Sequence, residues 1–226
     1  MSILRSAAVS FPREEALLIA GLLALTGGYL DAYTWIVHRA FANAQTANLV
    51  FLWVHLSSGE WGRAFHYVPA LLAFVIGVIT ASGLRKVAAH KAPEISVLTE
   101  IVLLFIVAIL HNRLSEVAGT LGISFVAALQ TASFPKVEGW NYSSVMATSN
   151  FRYTIEGLFA AFAGSSEARP LRRPYVFGTV CIAFGTGAAL GAVMTEVTRA
   201  YSLAIPVTLL VIVFFLCELN PTAARE

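Results

Sequence analysis

Apolar stretches about twenty residues long recur along this chain, and no other feature limits its folding as much. A bilayer hydrocarbon core about 30 Å thick is crossed by roughly 20 helical residues. Eight helical segments bounded by charge or turn residues can be read: Ala16–Val37, Phe41–Leu56, Tyr67–Leu84, Ile95–Leu110, Leu114–Phe134, Trp140–Phe162, Tyr175–Val197 and Ser202–Cys217. The 226 residues are 58% hydrophobic and only 12% charged, which excludes an ordinary soluble domain, a disordered chain and a disulfide scaffold. The expectation is one all-α integral membrane domain over residues 1–226, a polytopic helix bundle whose first partner is the lipid bilayer.

Two segments are too polar to face lipid along their length. Phe41–Leu56 opens with Asn43, Gln45, Thr46 and Asn48, and Trp140–Phe162 carries Asn141, Ser143, Ser144, Thr148, Asn150, Arg152 and Glu156. They either cross with their polar faces buried or are broken or re-entrant helices lining a cavity. Cytoplasmic loops collect Lys and Arg. With six crossings and a cytoplasmic N-terminus, ten basic residues lie inside (Arg5, Arg13, Arg85, Lys86, Lys91, Lys136, Arg169, Arg172, Arg173, Arg225) and four outside (Arg39, Arg63, Arg113, Arg199). Eight crossings give eight against six, so the expectation is six full spans plus two polar segments.

The halves echo each other. An apolar helix ending in Asp31-Ala32, then Thr46-Ala47-Asn48, then a span opening at Pro69 is answered by Gln130-Thr131-Ala132, Thr148-Ser149-Asn150 and Pro174. The Thr offset is 102 residues and the Pro offset 105. Units of about 14–112 and 113–218, each with three spans, predict inverted repeats whose polar segments meet near the midplane. Gly77, Gly83, Gly178, Gly185, Gly187 and Gly191 suit close helix packing.

Asp31 is the sole aspartate, and burying a carboxylate in a membrane costs roughly 2.5–3.5 kcal/mol. It reads as an interfacial helix-end acid, as a proton or cation site, or as the anchor of a polar cluster with the Thr46-Ala47-Asn48 segment. Gln45, Thr46, Asn48, Gln130, Thr148 and Asn150 supply neutral donors and acceptors suited to a small polar solute or ion, and serve equally as interhelical glue. Arg152 and Glu156, spaced i,i+4, neutralise each other, or Arg152 pairs with Asp31 across the repeats and leaves Glu156 to titrate. Glu100 is a third carboxylate candidate for coupling.

No catalytic or phosphate-binding motif is present, so enzymatic chemistry is not expected. His38, His55, His66, His90 and His111 are scattered, and Cys181 and Cys217 sit in apolar runs, so neither a metal site nor a cofactor is expected. A net charge of +2 without clustered basic residues argues against nucleic acid. The first apolar segment lacks a small-residue cleavage site and reads as a retained span. Oligomerisation is left open.

Gly28-Tyr29-Leu30-Asp31-Ala32, followed by Phe41-Ala42-Asn43-Ala44-Gln45-Thr46-Ala47-Asn48-Leu49, resembles the YoaK family of bacterial membrane proteins, a domain of unknown function. The likeness covers nearly all the chain. Ala47 and Ser149 stand where that family typically has glycine, and Thr131 where it has Asn. The resemblance implies a multi-spanning protein of the bacterial inner membrane without an established activity. With the repeated polar motifs, the expected function is transport or permeation of a small polar solute or ion. A passive channel and a non-transporting scaffold are the alternatives.

Overall fold

A computed structural model describes residues 11–110, 113, 115–164 and 171–218, so the expectations for Arg5, Arg169, Arg225 and His111 fall outside the described residues. Nine α-helices occur in the described part: α1 (Leu17–His38), α2 (Gln45–Ser57), α3 (Trp61–Phe65), α4 (Val68–Ala88), α5 (Ala92–Ile109), α6 (Glu116–Ser133), α7 (Ala147–Phe162), α8 (Arg172–Thr198) and α9 (Ala204–Glu218). Proline stands in the first turn of α4 and of α5, where its missing N–H would have had no helical partner anyway. Ser115 caps α6 by accepting from the Ala118 N–H at 3.3 Å.

Among the described residues, four helical stretches are long and apolar enough to cross a membrane: Leu17–His38, Trp61–Ala88, Ala92–Ile109 and Arg172–Thr198. Val117–Ser133 and Ala204–Glu218 are shorter apolar helices. Leu72, Val75, Ile76 and Ile79 form an exposed stripe on one face of α4, and Leu98, Val102, Phe105 and Ile109 form another on α5. Apolar surface of that extent needs lipid against it rather than water.

Contacts between helices set their directions. Leu25 and Tyr29 of α1 lie against Gly187 and Gly191 of α8, so these two helices run parallel. His38 lies against Gly119, and Gln130 reaches the Leu23 carbonyl, so α6 runs antiparallel to α1. His66 bonds the His38 carbonyl and Gly77 meets Phe125 and Ala128, which makes α4 parallel to α6. Ser96 with Ser133, and Val107 with Gly122, set α5 antiparallel to α6. Tyr29 bonds Ser202, and Arg13 reaches the Leu216 carbonyl, so α9 descends beside α1. The six apolar helices therefore alternate in direction along the chain.

Neither polar segment is helical throughout, because each begins with a loop that turns back into the bundle. Residues 39–44 return from the end of α1 to its middle, and α2 then climbs away, with Phe51 stacked on Trp35 at 5.8 Å. The Trp140 start expected for the sixth segment is instead part of a two-stranded hairpin, Lys136–Val137 with Trp140–Asn141. Glu138 and Gly139 turn it with φ of 47° and 82°, the positive values a tight hairpin requires. Its end is anchored by the paired Arg172 and Glu138 side chains and by the Gly139 N–H donating to Glu15 at 2.8 Å. Beyond it, α7 starts beside the middle of α8, with the Ala147 carbonyl at Cys181, and its Gly157 lies against Pro174 near the start of α8.

The closest helix approach is α1 on α8. A Cβ on Gly28 would lie 2.0 Å from the Phe184 carbonyl oxygen, and one on Gly187 would lie 1.9 Å from that of Leu25. These contacts are backbone to backbone, so no side-chain rotation relieves them. Gly28→Val and Gly187→Val are each expected to lower unfolding stability in detergent by about 2–3 kcal/mol or more. Gly185→Ala, whose added carbon meets nothing within 4 Å, serves as the control and should be neutral or stabilising by up to about 1 kcal/mol.

Candidate functional site

Polar backbone cannot be left unpaired at membrane depth, so the two returning loops depend on side chains of the helices they enter. Asp31, one of the buried residues of α1, accepts the Asn43 N–H at 2.7 Å, and the Ala42 and Ala44 amides also face its carboxyl group. Thr34 accepts the Ala42 N–H at 3.0 Å, and the Asn43 side chain donates to the Gly27 carbonyl at 2.9 Å. In the second half Gln130 donates from one amide nitrogen to the Leu23 carbonyl at 3.0 Å and to Ser144 Oγ at 2.9 Å. Ser144 and Val145 in turn press on Gly27.

An asparagine one turn into each polar helix then closes its own loop. Asn48 Nδ2 donates to the Phe41 carbonyl at 2.8 Å, its Oδ1 accepts the Phe41 N–H at 2.9 Å, and Nδ2 also reaches Gln45 Oε1 at 3.0 Å. Asn150 Nδ2 donates to the Ser143 carbonyl at 2.7 Å. Both clasps span seven residues, and the 102-residue offset carries Phe41 and Asn48 onto Ser143 and Asn150.

The polar helices pack mainly on different neighbours, α2 on α3 and α4 and α7 on α8. The loops before them are what converge, about one helical turn apart on α1 at Leu23 and Gly27. Three buried amide oxygens in these loops and their anchors, Asn43 Oδ1, Gln130 Oε1 and Asn150 Oδ1, accept no hydrogen bond. These three oxygens are acceptor capacity, which suits a small cation or a donor-bearing solute, while the buried hydroxyls of Thr131 and Tyr142 nearby in the chain also have no partner among the described residues.

Other candidates lie elsewhere. Thr46 and Thr148 are exposed, facing away from the loops. Asp31 and Arg152 do not pair: Arg152 lies on the exposed face of α7 with Glu156 at 3.9 Å and its guanidinium over the Tyr153 ring. Both ends of that pair are more than half exposed, so it contributes about 1 kcal/mol at most. Glu100 is fully buried on α5, and neither carboxyl oxygen has a partner among the described residues. The α5–α6 register sets it opposite the apolar Val126–Leu129 turn, and Leu210 and Val213 of α9 belong to the same core.

Sequence reading assigned no role to Asn43, Thr34 or Ser144. The seven-residue spacing shared by Phe41–Asn48 and Ser143–Asn150 is the signal that points to the loops around them. Among the described residues, no group of three metal-ligating side chains gathers.

Apolar flanks around a bundle with hydrogen-bonded polar loops at its centre define a polytopic helical membrane protein. Its chain belongs to the family described as Protein of unknown function (DUF1275), whose family model matches residues 19–216. No curated protein and no solved structure matches the chain.

Asp31→Ala strands the Asn43 N–H and should cost about 1–3 kcal/mol in thermal unfolding, whereas Asp31→Asn keeps an acceptor oxygen and should lose less. Asn150→Ala should cost a similar amount, because it leaves the Ser143 carbonyl unpaired.

Proposed function

We propose that this protein is a secondary transporter or permease of inverted-repeat design for a small polar solute or ion, held here with its central site closed. The observation that carries the reading is the set of unpaired amide oxygens where two loops converge on α1, Asn43 Oδ1 next to Asp31 and Gln130 Oε1 and Asn150 Oδ1 at the second loop. Half-helices beginning at membrane depth are tolerated where they line a cavity, and transporters use them to hold substrate. Asp31, Gln45, Asn48, Gln130 and Asn150 would hold the solute or the loops around it. Thr46 and Thr148 would join only after their helices rotate.

Several features support six crossings with two re-entrant segments. The apolar helices alternate in direction, and α1 runs antiparallel to its counterpart α6. Helix neighbours also survive exchange of the halves, with α1 on α8 answered by α6 on α4, and α9 on α1 by α5 on α6. Placing Arg39, Arg63 and Arg199 at one end and Arg85, Lys86, Lys136 and Arg172 at the other favours a bacterial inner membrane with a cytoplasmic N-terminus. The Asp31-Ala32 and Thr46-Ala47-Asn48 motifs favour the closer YoaK likeness.

Glu100 is the natural coupling carboxylate, since an unpartnered acid inside a membrane bundle marks an ion or proton pathway. A non-transporting scaffold is the second reading, favoured by the Asn48 clasp, whose amide is fully used within its own loop.

Proteoliposomes loaded with a pH-sensitive dye and challenged with a panel of small cations and neutral polar solutes test the proposal. At least one compound should drive a proton flux that Glu100→Gln abolishes while the variant remains folded. Silence of the wild-type protein toward the whole panel would favour the scaffold, and flux of the compound without proton movement would favour a channel. Single cysteines at 58 and 86, in a background lacking Cys181 and Cys217, should react with an impermeant maleimide from opposite sides.

A further inference from the structure

A second polar feature lies away from the central loops, at the end of the bundle where α1 and α2 finish and α4 begins. Arg39, His55, Arg63, His66 and Tyr67 line a cavity of about 330 Å³ there. We infer that this cavity is a binding site for a phosphate oxyanion, presented by an anionic lipid headgroup or free in solution.

The lining is cationic. Arg39 has no acidic partner among the described residues, and it caps α1 in a left-handed conformation, φ 52°. Arg63 gives Nη1 to Glu60 at 3.2 Å, which leaves its other donors to the cavity. The hydrogen bond from His55, with Arg63 beside it, holds the exposed Glu60 carboxylate below the usual range, so Glu60 offsets one positive charge of the two arginines. Guanidinium forks match phosphate oxygens in geometry as well as charge.

The histidines are held in set orientations. His66 Nε2 faces the His38 carbonyl, which can only accept, so that nitrogen carries the proton. His55 Nδ1 donates to Glu60 at 2.6 Å. Tyr67 stacks on the His55 ring at 6.0 Å and meets the His66 ring edge-on at 5.5 Å, bracing both.

The surroundings set the depth. Trp53, Trp61 and Phe65 are 63%, 60% and 58% exposed on α2 and α3 beside the cavity. Tryptophans settle at the level of lipid headgroups, and basic pockets at that level receive headgroup phosphate. The site is distinct from the central cluster: Arg39 opens the 39–44 loop, but none of the five lining residues bonds Asp31 or carries one of the unpaired amide oxygens.

Thermal unfolding tests it, on protein in phosphatidylcholine nanodiscs with and without phosphatidylglycerol, and on protein in detergent with and without sodium phosphate. A rise of at least about 3 °C with phosphatidylglycerol alone identifies the headgroup as the source, and a matching rise with phosphate identifies the free oxyanion. Arg39→Asn combined with Arg63→Gln should remove the rise. Arg39→Asn alone should reduce it while folding normally, because asparagine tolerates φ 52° and the Arg63–Glu60 pair is kept. No rise in the wild-type protein, or an undiminished rise in the single and double variants, overturns the assignment.

Discussion

Backbone that leaves a helix inside a hydrocarbon layer has no water to turn to, and the centre of this protein is organised around that fact. Residues 40–44 and the stretch leading to Ala147 both enter the bundle without helical hydrogen bonds of their own. Asp31 and Thr34 answer the first with oxygens aimed at free N–H groups, and Gln130 and Ser144 hold the second. Asn48 and Asn150 then fasten each loop to the helix that follows it. The polar residues in this apolar chain are thus first of all the solvent for its own main chain. A solute site there would be built from the capacity left over, which is the group of unused amide oxygens.

The helix pairing makes this arrangement rigid. α1 rests mainly on α8 and α4 mainly on α6, so each half of the chain packs its first helix against the other half. Gly28 and Gly187 bring the α1 and α8 backbones close enough that their main chains touch. The junctions repeat as well: Ala89 after α4 and Arg199 after α8 share nearly the same backbone, φ 31° and ψ −91° against φ 44° and ψ −95°. Each opens a 3₁₀ turn, Ala89–Lys91 and Arg199–Tyr201, leading to the next helix.

Much of the helical content was legible because apolar length is a strong signal: seven of the expected segments both begin and end within four residues of a helix's bounds. The eighth, Trp140–Phe162, lost its first seven residues to a hairpin and a loop, since Glu138-Gly139 turn chemistry outweighs the aromatic residues that follow it. α3 was not foreseen, five residues being too short for any periodicity to register. For the site, Asp31, Asn48, Gln130 and Asn150 stood out as polar residues in an apolar setting and do cluster at the loops. Thr46 and Thr148 share their sequence motif but point the other way, because helical positions two residues apart face opposite sides. The Asp31–Arg152 pairing failed for a reason that spacing cannot disclose: backbone amides, not a distant guanidinium, compensate the carboxylate.

The main neighbour of α1 is made some 150 residues after it. A nascent chain that has inserted only its first half therefore holds Gly28 open to lipid, with α4 equally lacking α6. Assembly has to wait for the second half, and two separately synthesised halves would have to find each other before either became stable.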